Sequence, residues 1–400
     1  MNKIIPYGKQ HITQEDINAV SIALKSDYLT QGPLIAKFEQ EFADYVGAKY
    51  AVAVSNGTAA LHLSALALDV KVGDKVITTP ITFAASANCI KYCGGEVVFS
   101  DINSENYLLD LDKLEELLGS HPKGTFKGVI PVDFAGYPVD LERLRSITSK
   151  YDMWILQDAC HSPGGFFVDS QGAKQECGNG HLADLAIFSF HPVKHIATGE
   201  GGMITTNNKD LYHKLLMLRT HGITKDPSTF VNSLSIAVGE EIVGGSEYPG
   251  WYMEMQTLGF NYRITDIQAA LGLSQLKKAE KGIQRRREIA TKYAESFANK
   301  NYFNSHSGYH LGHAYHLYII NVKRDRLGLY NYLKKHGIYA QVHYIPCHLM
   351  PYYQKLGYKL GDFPIAEKYY KGCLSIPMFP SLTDEEQDFV IEKIHEFYNN

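Results

Sequence analysis

Lys194 stands in SFHPVKHIATGEGG, the stretch from Ser189 to Gly202, between an apolar run and a glycine-rich turn. A loop lysine is ordinarily solvated, because a charged amine is costly to bury. Here a strand end, a proline and then TGEGGMITT, a turn leading into a further strand, would hold the amine in one place. An amine so held can form a Schiff base with a carbonyl. Asp158 ends the apolar run MWIL, where its charge calls for a cationic partner. His161 follows three residues later and could reach the same place. Asn56-Gly57-Thr58-Ala59 joins a strand pattern to a helical one. Thr58 alone would be a competent N-cap, but the first amides of a helix lack intrahelical acceptors and can also bind a phosphate.

The elements that must position these residues come from hydrophobic patterning. Seven β-rich runs, YAVAVS, KVITTP, GEVVFSD, GVIPVDF, MWILQDA, LAIFSF and GGMITTN, occur between residues 50 and 210. Helical patterns separate several of them: Thr58 to Leu68, Ala84 to Tyr92, Leu111 to Leu118 and Val139 to Lys150. Nearly continuous apolar strands joined by helices predict an α/β fold, with a mostly parallel sheet covered on both faces. Ligands of such sheets sit where loops leave the carboxyl ends of the strands. That rule brings Asn56, Thr58, Asp158, Ser189 and Lys194 to one crevice, with Phe83 on a neighbouring loop. A phosphate cradle, a carboxylate for a pyridinium nitrogen and a Schiff-base lysine together are the requirements for pyridoxal 5'-phosphate. Phe83 could offer the face on which such a ring stacks.

A longer helical region is expected over Ile264 to Asn299, after the polar insert VGEEIVGGSEYPGWYME. HLYIINV, IYAQVHYIP and CLSIPMFP then alternate with helical patterns. They predict a smaller α+β domain over residues 281–400, following a large cofactor-binding domain over 1–280 with its N-terminal arm.

The 400 residues are 45% hydrophobic with a formal net charge of -4, and basic residues are dispersed, which argues against nucleic acid as a partner. No signal sequence or long apolar span is visible, so a cytoplasmic protein with no membrane partner is expected. The six cysteines lack C-x-x-C spacing, so neither a metal site nor a disulfide scaffold is expected.

With these residues in view, the sequence resembles the DegT/DnrJ/EryC1/StrS family of sugar aminotransferases, which have the aspartate aminotransferase type I fold. LTQGPLIAKFEQEFADYVGAKYAVAVSNGTAALHLSALAL, QDACHSPGG, FSFHPVKHIATGEGGMITTNN, LRTHGI, LGFNYRITDIQAALGLSQL and QVHYIP carry the likeness over nearly the whole chain. The resemblance implies that Lys194 holds pyridoxal phosphate, cycling with pyridoxamine phosphate, and that Asp158 holds N1 of the ring. It places His161 at the ring hydroxyl and Phe83 on the ring face. Thr58, Ala59 and Ser189 would bind phosphate, and Asn261 would reach the phosphate of a partner subunit in a homodimer with shared sites.

QVHYIPCHLMPYYQKLGY and the C-terminal DFPIAEKYYKGCLSIPMFPSLTDEEQDFVIEKI resemble the family members of pseudaminic acid biosynthesis. Those members aminate C4 of a UDP-linked 4-keto-6-deoxy-N-acetylhexosamine. The implied donor is L-glutamate, with Tyr7, Tyr318, His343 and Tyr344 as candidate sugar contacts. The alternative acceptors are nucleotide 4-keto sugars of the bacillosamine, perosamine or dTDP-amino-sugar type. Related dehydratases carry histidine in place of the Schiff-base lysine. Here lysine holds that position and histidine is its neighbour, His195, which disfavours dehydration; the intact lysine, aspartate and phosphate set disfavours a non-catalytic homologue. Two segments, FFVDSQGAKQECGNGHLAD and the insert before Trp251, are longer than the resemblance leads one to expect and could reshape the sugar pocket.

Overall fold

The computed structural model describes residues 4–239, 247–298, 300–303 and 310–399. Residues 240–246, the middle of the insert before Trp251, lie outside the described residues. All seven apolar runs form strands of one sheet: β1 (Tyr50–Val54), β2 (Lys75–Thr78), β3 (Glu96–Phe99), β4 (Phe126–Ile130), β5 (Trp154–Asp158), β6 (Leu185–Ser189) and β7 (Gly202–Thr206). Their order across the sheet is β1-β7-β6-β5-β4-β2-β3. β7 runs antiparallel to both of its neighbours, and every other pairing is parallel. Val52, Val54, Ile155, Leu156, Ile187, Phe188, Met203 and Ile204 are fully buried, as strands covered on both faces require.

Because β7 alone is reversed, its first residue lies on the edge where β1 and β6 end: Gly202 pairs with Val54 on one side and Ser189 on the other. This register brings three loops together. Helix α1 (Gly57–Ala67) leaves β1 there, and α2 (Ala84–Tyr92) starts after the loop from β2. α1 is almost entirely buried, which its run of Ala, Leu and Ser residues permits.

The helical region expected over Ile264 to Asn299 is two helices, α3 (Asp266–Leu276) and α4 (Ala279–Phe297). Lys278 N–H donates to the Gln275 carbonyl at 3.0 Å and closes the turn between them. Its side chain reaches back to the N-terminal arm, with Nζ 2.5 Å from the buried Asp16 carboxylate and 3.1 Å from Thr13 Oγ1. An ion pair far away in sequence thus accompanies the break.

Of the three C-terminal runs, HLYIINV and CLSIPMFP supply β8 (Tyr318–Asn321) and β9 (Cys373–Ile376), paired antiparallel. The third, IYAQVHYIP, is strand only over Ile338–Tyr339, where it pairs in parallel with Ile5–Pro6. Beyond it, Gln341 keeps one bridge to Ser375 and the chain turns toward the crevice. Ile5 packs in one cluster with Ile289, Tyr293, Leu329, Ile376 and Val390. We propose residues 281–400 as a second unit whose core the N-terminal arm shares. FFVDSQGAKQECGNGHLAD holds a two-stranded hairpin, Phe166–Val168 with Lys174–Glu176, outside the main sheet.

Candidate active site

A cavity of about 590 Å³ opens at the edge where β1, β5 and β6 end and β7 begins. Lys194, Asp158, Thr58, Ala59, Phe83, His161 and Ser189 all line it. Residues more than a hundred positions apart meet here because strand ends share one edge of the sheet. Neither the hairpin nor the described part of the insert contributes a lining residue.

At one end lies the start of α1. Asn56 caps the helix, its Oδ1 accepting the Ala59 amide at 2.8 Å. This corrects the reading of Thr58 as the cap, and it engages the Ala59 amide within the protein. The Gly57 and Thr58 amides, as the first of the helix, have no intrahelical acceptor. The backbone around them is closely packed. A Cβ on Gly202 would lie 2.6 Å from the Asn56 carbonyl oxygen, and one on Gly57 would lie 3.0 Å from Ser189 Cβ. Only glycines let the ends of β1, β6 and β7 approach so closely.

Asp158, at the end of β5, is 5% exposed. Its Oδ2 accepts from Ser86 Oγ at 2.6 Å and its Oδ1 from the Cys160 amide at 3.2 Å. Thr82 Oγ1 lies 2.8 Å from Ser86 Oγ and supports it in turn. Among the described residues no lysine, arginine or histidine nitrogen pairs with this carboxylate. A buried carboxylate with neutral donors alone is suited to receive a cation from a ligand. Ser86 and Thr82 escaped sequence reasoning, which took only Phe83 from the stretch TTPITFAAS leaving β2.

Lys194 is carried on the loop between β6 and β7. Its amide donates to the His191 carbonyl at 2.8 Å, and the Thr198 amide to that of Phe190 at 2.9 Å. The amine lies 3.4 Å from His316 Nε2. Burial pushes its pKa below that of an ordinary lysine, opposed by Cys160 and Asp158 and reinforced by Arg286. The amine is therefore shifted toward its nucleophilic, uncharged form. Cys160, a free thiol, also lines the cavity.

Histidines crowd this side. His161 Nδ1 accepts the Ala135 amide at 3.2 Å, which leaves its proton on Nε2, 3.3 Å from Tyr344 Oη. Burial, with Lys194 nearby, holds His161 well below the usual histidine range. His343 Nδ1 lies 2.8 Å from Ser375 Oγ, and burial lowers its pKa to about 3.

Phe83 is 64% exposed at the cavity mouth, with its ring 6.2 Å from that of Tyr344. It is an exposed ring at the mouth and not a core phenylalanine. Tyr7, His343 and Tyr344 line the cavity as well, Tyr7 with its ring 5.2 Å from that of His343. Tyr318 does not. It is 3% exposed in β8, its ring 4.9 Å from that of Tyr293. The resemblance suggested it, but its ring is buried in the C-terminal cluster, and it is His316, two residues earlier, that faces Lys194. Asn261 is exposed, bridges Thr220 and stands outside this cavity.

A helix N-terminus without intrahelical acceptors, a buried carboxylate lacking a cation, a desolvated lysine and an exposed aromatic face fit pyridoxal phosphate group for group, on an α/β sheet of the aminotransferase type. The chain belongs to the DegT/DnrJ/EryC1/StrS aminotransferase family, whose model matches residues 10–395, and it is a sugar aminotransferase. The spore coat polysaccharide biosynthesis protein SpsC of Bacillus subtilis is 37% identical over 99% of this chain and 97% of its own. A UDP-4-amino-4,6-dideoxy-N-acetyl-beta-L-altrosamine transaminase of Campylobacter jejuni is 36% identical over 97% of this chain and 96% of its own. Among solved structures, Helicobacter pylori PseC, an aminotransferase of pseudaminic acid biosynthesis, superposes with a TM-score of 0.86 at 30% identity, covering 99% of this chain and all of its own. Spr1654 of Streptococcus pneumoniae, solved in PLP and PMP forms, gives 0.86 at 28% and 29% identity, with 99% of each chain covered.

Proposed function

We propose that this protein uses pyridoxal phosphate, attached through Lys194, to move an amino group from L-glutamate to C4 of a UDP-linked 4-keto-6-deoxy-N-acetylhexosamine. The observation that carries the cofactor is Asp158, buried with no ion-pair partner among the described residues, near a lysine whose charge is disfavoured. The bound cofactor supplies an electron sink for the pair released when the donor's Cα–H bond breaks.

This chain's residues do the rest. The Gly57 and Thr58 amides and the Ser189 hydroxyl take the phosphate, and Asp158, held by Ser86 and the Cys160 amide, keeps the pyridine nitrogen protonated by charge pairing. Phe83 covers one face of the ring, and the Lys194 amine carries the proton taken from the donor Cα. Asn261, exposed and away from its own cavity, suits a residue serving the site of a second copy in a homodimer. Tyr7, His343 and Tyr344 stand where a sugar would enter. The likeness to the Campylobacter transaminase and to PseC supports the acceptor.

Borohydride reduction followed by peptide mapping is expected to leave a pyridoxyl group on Lys194, and a label elsewhere overturns the assignment. A panel of UDP-, dTDP- and GDP-linked 4-keto sugars, with products resolved by NMR, tests the acceptor. Preference for a dTDP- or GDP-linked sugar would refute the UDP sugar and leave the aminotransferase standing.

A further inference from the structure

His316 belongs to none of the roles above, yet its Nε2, 3.4 Å away, faces the Lys194 amine. The ring is 4% exposed, and its other nitrogen, Nδ1, is shut from solvent with no hydrogen-bond partner among the described residues. Its backbone is fixed from behind. The Arg286 guanidinium, itself 1% exposed, donates to the carbonyls of Tyr315 at 3.0 Å, His316 at 3.2 Å and Met378 at 3.0 Å.

The groups facing this pair are Asp158 and Cys160 at the end of β5, the imidazoles of His161, His195 and His343, and Arg286 from α4. Burial, with Lys194, the two nearer imidazoles and Arg286 around it, keeps His316 well below the usual histidine range. The ring is neutral and carries one proton. An ammonium on Lys194 would require Nε2 to accept, which puts that proton on Nδ1, where it meets no acceptor. A buried N–H without a partner is the rarer and costlier defect, whereas a lone pair at Nδ1 is tolerated. His195 already shows this arrangement: its Nε2 lies 2.9 Å from the Ala314 carbonyl, so the proton is on Nε2 and the buried Nδ1 is a bare lone pair.

We propose that His316 is the positioning residue of Lys194: protonated on Nε2, it donates to the amine nitrogen and so holds the amine uncharged and in place whenever it is not covalently engaged. The proposal rests on Lys194 being the Schiff-base residue. It adds a reason for the lysine to be reactive that does not depend on the cofactor.

The test uses the full-length chain freed of cofactor. Competitive acetylation with acetic anhydride, followed by mass spectrometry of the Lys194 peptide across pH, reads the titration of that amine. In His316→Gln the amide can turn its oxygen toward an ammonium and accept from it. The midpoint of Lys194 labelling across pH is expected to rise by about one unit, a fall of about tenfold at pH values well below it. An unchanged or faster rate in a folded variant overturns the proposal. On the unsubstituted chain, 15N NMR of the ring is expected to show the proton on Nε2, and a proton on Nδ1 overturns it equally. Borohydride reduction with pyridoxal phosphate added back separates the two readings. Failure to label Lys194 in the unsubstituted chain sinks the Schiff-base assignment. Normal labelling there with an unshifted titration in His316→Gln sinks only the role of His316.

Discussion

Ser86 Oγ donates to Asp158 Oδ2 at 2.6 Å, joining the first turn of α2 to the end of β5 across 72 positions of sequence. Hydrogen bonds to a charged group are worth about 1.5–3 kcal/mol. Ser86→Ala leaves the carboxylate with the Cys160 amide and one fewer donor to orient it. Affinity for pyridoxal phosphate is expected to weaken by roughly tenfold, with the fold kept, as read by fluorescence titration of the cofactor-free chain. An unaltered affinity would remove Ser86 from the site.

Asp158→Asn tests the charge itself. The amide is nearly isosteric and can still accept from Ser86 or Cys160, so the circular dichroism should be preserved. On the proposed function, the pyridine nitrogen without that negative charge loses the partner that keeps it protonated, and the half-reaction with L-glutamate should slow by at least about a hundredfold. Near-normal single-turnover rates in stopped flow would refute that role.

The sheet was legible because strands covered on both faces read as near-continuous apolar runs, as YAVAVS and LAIFSF do. The loops at their ends then placed Lys194, Asp158 and Phe83 by topology alone. Contacts made through tertiary packing were not legible. Ser86 looks like helix filler until β5 is laid beside α2, and Tyr315 gives no sign in the sequence of its positive φ. Tyr318, which the resemblance suggested, is buried in the C-terminal core, while His316, two positions earlier, faces Lys194. The break between α3 and α4 was hidden for a similar reason, since Lys278 is tied to Asp16, 262 positions away.

Acid should destabilise the protein through its neutral histidines. His161, His316 and His343 are held below the ordinary histidine pKa in the fold, His343 at about 3. The unfolded chain therefore binds more protons than the fold as pH falls below about 6.5. The stability is fully present above that value and is lost on acidification toward the folded pKa values. Each group contributes a slope of up to about 1.4 kcal/mol per pH unit in that window. Urea unfolding of the cofactor-free chain between pH 4 and 8 should show stability rising with pH. His343→Gln should make the rise shallower by as much as one proton, and an identical slope would mean that His343 is already charged in the fold.

Tyr7 and Tyr318 make a matched pair for testing the sugar site. Tyr7 lines the cavity beside His343, and its backbone carbonyl accepts the Met378 amide at 2.9 Å, which fixes the arm that carries it. Tyr318 is packed against Tyr293 inside the C-terminal core. A tyrosine hydroxyl can orient a keto sugar while its ring packs on the pyranose, and a small misplacement of C4 slows its amination steeply. The glutamate half-reaction makes no use of a sugar contact. Tyr7→Phe is therefore expected to leave that half nearly intact and to slow the sugar half by roughly tenfold, the loss of about 1.4 kcal/mol of orientation. Tyr318→Phe is expected to change neither half. Stopped-flow records of both half-reactions for the two variants check this. Equal slowing of both halves in Tyr7→Phe would place Tyr7 on the cofactor side, and selective slowing of the sugar half in Tyr318→Phe would put Tyr318 back in the site.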